Sequence, residues 1–91
     1  MQVKHITGTR GHLIIELTDG RLVYAPGELT MDARFYVNIS GDWYWAKESA
    51  RKSVLPDASD FYGAVSGNEK EELIHAVKMH QKPGSVRIIF D

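Results

Sequence analysis

Through the first half of the chain, apolar and polar residues alternate in short runs, the period of half-buried strands. Val3 to Thr7 predicts a first strand, and Thr9-Arg10-Gly11 a tight turn. The clearest run is His12 to Thr18, where Leu13, Ile15 and Leu17 fall on one face and His12, Ile14 and Glu16 on the other. Asp19-Gly20 then favours a hairpin, because both residue types accept positive φ. Arg21 to Ala25 returns with Leu22 and Tyr24 on one face, and Pro26-Gly27 predicts another turn. A short strand over Glu28 to Met31 and a stronger one over Phe35 to Ile39 follow.

Aromatic residues concentrate where this pattern ends. Phe35 to Trp45 holds five of the nine aromatics in the chain. A strand, a Ser40-Gly41-Asp42 turn and a second strand would put Trp43 and Trp45 on one face and Tyr44 on the other. The paired tryptophans then suit the core, and Tyr44 a partner. From Ala46 to Gly63 the periodicity fades. Ala46 to Lys52 has helical composition without an apolar stripe and reads as a loop with room for a helical turn, Leu55-Pro56-Asp57 breaks the chain, and Asp57 to Gly63 reads as a second loop.

A helical period begins at Ser66. Ser66 and Glu69 have capping-box spacing, and Glu69, Glu71 and Glu72 place negative charge where the helix dipole favours it. Leu73, Ile74 and Val77, with Met79 or His80, form the apolar side of a helix over Gly67 to Gln81, which Lys82 and Pro83-Gly84 terminate. Ser85 to Phe90 predicts a last strand, with Val86, Ile88 and Phe90 on one face. This order implies one α+β domain over residues 1–91: a curved antiparallel β-sheet of about five to six strands with one main helix packed on one face.

Composition narrows the function classes. The chain has 91 residues and a net charge of −1, with 11 basic and 12 acidic residues spread evenly along it. That balance argues against a dedicated nucleic-acid binder and against an acidic mimic of DNA. With no cysteine, disulfides, thiolate chemistry and Cys-based zinc sites are excluded. The opening Met1-Gln2-Val3-Lys4-His5 lacks a signal-peptide apolar core, and no apolar run reaches membrane-helix length. The expectation is a cytoplasmic protein that does not contact a membrane.

Searches for chemistry give little. His75 and His80 are five apart on the predicted helix, the wrong step for two ligands on one face. His5 and His12 could face each other across a hairpin, without a carboxylate or cysteine partner. Asp57 and Asp60 are a carboxylate pair, for which solvated loop residues are the plainer explanation. No serine or threonine sits in a nucleophile elbow, and Thr7-Gly8-Thr9-Arg10-Gly11 lacks the Walker pattern. Neither an enzyme nor a cofactor or metal is expected. One further signal is Trp43, Tyr44 and Trp45 ahead of Lys47, Arg51 and Lys52, a stacking-plus-cation arrangement suited to single-stranded nucleic acid.

Asp19-Gly20-Arg21, Gly27-Glu28, Phe35-Tyr36-Val37 and Trp43-Tyr44-Trp45, followed by the helix to Gln81 and the strand Val86-Arg87-Ile88-Ile89-Phe90, carry a resemblance. In this order the chain resembles the small α+β immunity proteins of bacterial polymorphic toxin and contact-dependent inhibition systems, among them immunity protein family 74. The resemblance implies an antitoxin that binds the C-terminal domain of a cognate toxin stoichiometrically, with no small-molecule substrate. The aromatic segment and the stretch after it are the expected contact region: Asp42, Tyr44, Lys47, Asp57, Asp60, Phe61 and Tyr62. Asp57, Asp60, Phe61 and Tyr62 combine charged and aromatic types, as interfaces do. The alternative contact region is the outer sheet face around His12, Glu16 and Arg21, and the alternative role for Phe61 and Tyr62 is to plug the open end of the sheet.

Overall fold

The computed structural model describes residues 1–9, 11–81 and 87–90. Its seven strands are β1 (Val3–Gly8), β2 (His12–Leu17), β3 (Leu22–Leu29), β4 (Arg34–Val37), β5 (Tyr44–Ala46), β6 (Phe61–Ala64) and β7 (Arg87–Phe90). One α-helix, α1 (Gly67–His80), lies between β6 and β7, and two 3-10 turns, Glu48–Lys52 and Ala58–Asp60, lie between β5 and β6. The order β1-β2-β3-β4-β7 forms the main path, and β5 pairs with β3 and carries β6. The expected α+β class holds, with a curled sheet that is antiparallel except where β7 runs parallel to β4.

β3 is the hinge of this topology. Its first half, Leu22–Tyr24, pairs with β5, and its second half, Gly27–Leu29, pairs with β4. The expected turn at Pro26-Gly27 is instead continuous strand. Pro26 sits between the two pairings, where its missing N–H costs no ladder bond, and its carbonyl accepts from Asn38 N–H at 3.0 Å. A side chain at Gly27 would collide with the Phe35 ring and the Tyr36 carbonyl, so glycine is required there.

Between β4 and β5 the chain leaves the sheet. Asn38 Oδ1 accepts from Ser40 N–H at 3.1 Å and Gly41 N–H at 3.0 Å, closing the excursion. Trp43 re-enters fully buried and donates its indole N–H to the Asn38 carbonyl at 3.0 Å. Lys70 of α1 donates to the carbonyls of Ile39 at 3.0 Å and Gly41 at 2.9 Å, latching the helix to this excursion. As expected, Trp43 and Trp45 share the core and Tyr44 takes the other face.

α1 starts at the expected capping box: Ser66 Oγ accepts from Glu69 N–H, and Glu69 accepts from Ser66 N–H. Leu73, Ala76 and Val77 are buried and Ile74 is half-buried. Met79, expected near the apolar side, is exposed, and Ala76 takes a core place that its small size hid in the sequence. The expected Pro83-Gly84 stop, together with Lys82 and Val86, lies outside the described residues. Among the described residues, no helix is long and apolar enough to cross a membrane.

The helix face is testable. Leu73 has no solvent exposure, so Leu73→Ala should lower unfolding free energy by about 2–5 kcal/mol in denaturant titrations. Met79→Ala, on the exposed side, should change it little. Equal effects would show the two faces to be misassigned.

Candidate partner-binding surface

The central strands are covered on both faces. Leu13, Ile15, Leu17, Val23 and Ala25 point to the helix, where they meet Trp43, Trp45, Leu73 and Val77. On the opposite face Ile14, Leu22, Ala46 and Ala50 form a second apolar cluster, with Tyr24 and Phe61 packed against it. The stretch 46–63, expected to be loop, supplies this second cover. Ala50 of the first 3-10 turn is buried there, and Phe61–Ala64 is a strand paired with β5 rather than loop.

Aromatic rings cross the outer face strand by strand. His12 of β2 stacks on Tyr24 of β3 at 5.2 Å between ring centres. Tyr24 meets Phe61 at 4.9 Å and Tyr44 at 6.2 Å. Tyr44 and Phe61 stack at 4.7 Å with planes 7° apart. Burial pushes the Tyr24 hydroxyl pKa up, and the nearby Tyr44 adds to the shift. At the β6 end this row opens into a groove of about 330 Å³ lined by Tyr44, Ala58, Phe61, Gly63 and Ala64.

The expected contact residues divide by exposure. Asp42, Lys47, Asp57 and Tyr62 are exposed, Tyr44 and Phe61 are half-buried, and Asp60 is buried. Asp60 is therefore corrected from partner contact to internal support. Its carboxylate accepts from Ser49 Oγ at 2.7 Å and from Asp57 N–H at 3.0 Å, joining the two 3-10 turns. Its carbonyl also accepts from Lys47 N–H at 2.7 Å. Asp57 caps the second turn by accepting from the Ser59 hydroxyl and N–H, which hold its pKa below the ordinary carboxylate value. The two carboxylates are thus the halves of a capping box. Phe61 covers the sheet's outer face rather than its end, and Tyr62 points to solvent, 58% exposed.

Other expected groupings come apart. In the β1–β2 register His5 lies opposite Glu16, not opposite His12. His12 is buried, with Nδ1 at 3.0 Å from Thr9 Oγ1. Glu16 bonds Arg51 at 3.0 Å, fastening the first 3-10 turn to the sheet, and Lys4 lies 3.8 Å away. Arg21 lies over the Trp45 ring at 4.7 Å, on the helix side, and pairs with Asp19 at 2.8 Å. The alternative region around His12, Glu16 and Arg21 is therefore not one free surface. Among the described residues, no group of three or more His, Asp or Glu side chains is placed to hold a metal ion.

Sequence reasoning missed Val54 and Leu55, which are 84% and 82% exposed in the connection between the 3-10 turns. It also missed His12 and Tyr24 as parts of the aromatic row. Only the strand register brings them to Tyr44, though Tyr24 and Leu22 were on the right face.

Two measurements probe this cover. Asp60→Ala should lower stability by about 1–3 kcal/mol, because it leaves the Asp57 N–H and the Ser49 hydroxyl without their acceptor. A loss within 0.5 kcal/mol, the range typical of exposed sites, would contradict that role. Burial lowers the His12 pKa from 6.5. The unfolded chain therefore takes up this proton first as pH falls below about 6.5, and His12 contributes stability that is lost on acidification. Between pH 7 and 5, wild type should lose more stability than His12→Gln. Parallel curves would place His12 in solvent.

No family model matches the chain, and no curated protein or solved structure matches it. The reading of this surface accordingly rests on its own geometry.

Proposed function

We propose that the chain is a cytoplasmic binding protein without turnover, an immunity protein that neutralises the C-terminal domain of a cognate bacterial toxin by stoichiometric contact. The observation that carries the reading is the groove lined by the stacked Tyr44 and Phe61 with Ala58, Gly63 and Ala64, together with the exposed apolar side chains of Tyr62, Val54 and Leu55. Aromatic groups held on strands, with the aliphatic Val54 and Leu55 on the connection beside them in sequence, suit an interface centre, and exposed Asp42, Lys47 and Asp57 suit its polar rim. The internal duties of Asp57 and Asp60 as helix caps weigh against an acid/base role for the pair.

Single-stranded nucleic-acid binding is the weaker reading. It needs Trp43 and Trp45 as stacking platforms, and both are buried in the core. Arg51, one of its three cations, is bonded to Glu16 and Glu48.

The test is calorimetric titration of the chain with the C-terminal domain encoded by the neighbouring upstream reading frame. Tyr62→Ala removes an exposed ring without touching the cover, and should weaken binding by more than about 1 kcal/mol if the ring is a central contact. A folded Tyr62→Ala chain that binds like wild type would move the interface elsewhere. No binding to that domain, with tight and steeply salt-dependent binding to single-stranded RNA or DNA, would replace the reading by the second one.

A further inference from the structure

The sheet has one edge strand, β6, that carries neither a charged residue nor a proline. β6 pairs with β5 on one side only, and its other side is unpaired among the described residues. Tyr62, Gly63 and Ala64 are all exposed. Val65 N–H donates to the Trp43 carbonyl at 2.9 Å, and Tyr44 lies opposite Ala64. Successive residues of a strand direct their backbone groups to opposite edges, so the N–H and C=O of Ala64 point away from β5. Unpaired groups of this kind are a template for another strand.

The remaining outer strands differ in charge. β1 carries Lys4 and His5, both exposed, and its register shifts between Val3 and His5. β7 begins with exposed Arg87. β6 reads Phe-Tyr-Gly-Ala, with no charge and no proline. Its register shift lies toward Phe61 and leaves Gly63 and Ala64 regularly paired.

This charge pattern leaves a second copy of the strand unopposed by like charge at the seam. A two-fold axis brings each strand against its own copy, so a charged edge strand meets its own charge. β6 meets none, and the chain's net charge of −1 adds little general repulsion. We propose that β6 is a self-association edge, pairing antiparallel with β6 of a second copy of this chain. The exposed ring of Tyr62 then lies at the new seam. A contact built on four residues per copy is small, so the dimer is weak and concentration-dependent. The proposal is independent of the toxin reading, although a dimer of this kind would cover Tyr62 and compete with any partner there.

Sedimentation velocity on the isolated chain tests it without a partner. The mass should rise from 10.3 kDa toward twice that value as concentration increases from about 10 µM to 1 mM, the weak range of small interfaces. Tyr62→Lys, which places like charges at the seam, should remain monomeric across that range. Ala64→Pro should do the same while keeping its circular dichroism, because the lost N–H is not one that pairs with β5. Backbone exchange at Ala64 should slow with concentration in wild type. A mass of 10.3 kDa at every concentration would overturn the proposal, as would undiminished self-association in either folded variant.

Discussion

Burial of β2 and β3 on both faces is the constraint on which the rest of this fold depends. A two-layer α+β domain usually covers one face of its sheet and leaves the other to water. Here Leu13 and Ile15 face the helix while Ile14 and Leu22 face away from it, and all four are buried. A single 14-residue helix cannot lie on both sides. The chain between β5 and β6 therefore has to supply the second cover, which accounts for its length. It does so with little apolar material, chiefly Ala50, beside Ala46 of β5 and Phe61 of β6. Polar fastening makes up the difference: Arg51 to Glu16, Ser49 to Asp60, and the Asp57–Asp60 capping box. The ion pair is partly solvated and adds little by itself, so the buried Asp60 is the more important tie.

The inner face has its own geometric requirement. β4 and β5 both pair with β3, and the chain between them must leave the sheet and return. Pro26 marks the gap in β3, Gly27 admits the Phe35 ring, and Asn38 closes the excursion with its side chain. Lys70 then bonds two carbonyls of that excursion from the helix, with its ammonium 5.6 Å from the Trp43 ring centre. One lysine thus satisfies backbone acceptors, positions α1 and borders the largest buried side chain.

Local pattern made part of this legible. Alternation in His12 to Thr18 assigned both faces of β2 correctly, and the Phe35 to Trp45 spacing separated the tryptophans from Tyr44. The Ser66–Glu69 spacing located the start of the helix. What stayed hidden depends on contacts distant in sequence. Pro26-Gly27 carries turn chemistry, but long-range pairing on both sides of β3 overrides it. Phe61–Ala64 lacks strand alternation because it is an edge whose register shifts against Ala46. Asp60 looked like a surface charge, since nothing near it in sequence reveals that Ser49 will reach it. The exposure of Val54 and Leu55 runs against their apolar character, and no periodicity could have foretold it.

The distribution of charge bears on what kind of contact this surface suits. Several cations are already committed inside the molecule: Arg51 to Glu16 and Glu48, Arg21 to Asp19 and the Trp45 ring, Lys70 to two carbonyls. They hold elements together and are not arrayed as a stripe for phosphates. Near β6 the exterior mixes Lys47, Lys52, Asp42 and Asp57, so long-range electrostatic steering there is weak. On the proposed reading, recognition at that end comes from short-range terms. Those are the apolar area of Tyr62, Val54 and Leu55, the groove beside Tyr44 and Phe61, and the outward backbone groups of Ala64. These terms reward shape and strand register rather than charge, which favours a folded protein surface as occupant over a flexible polyanion.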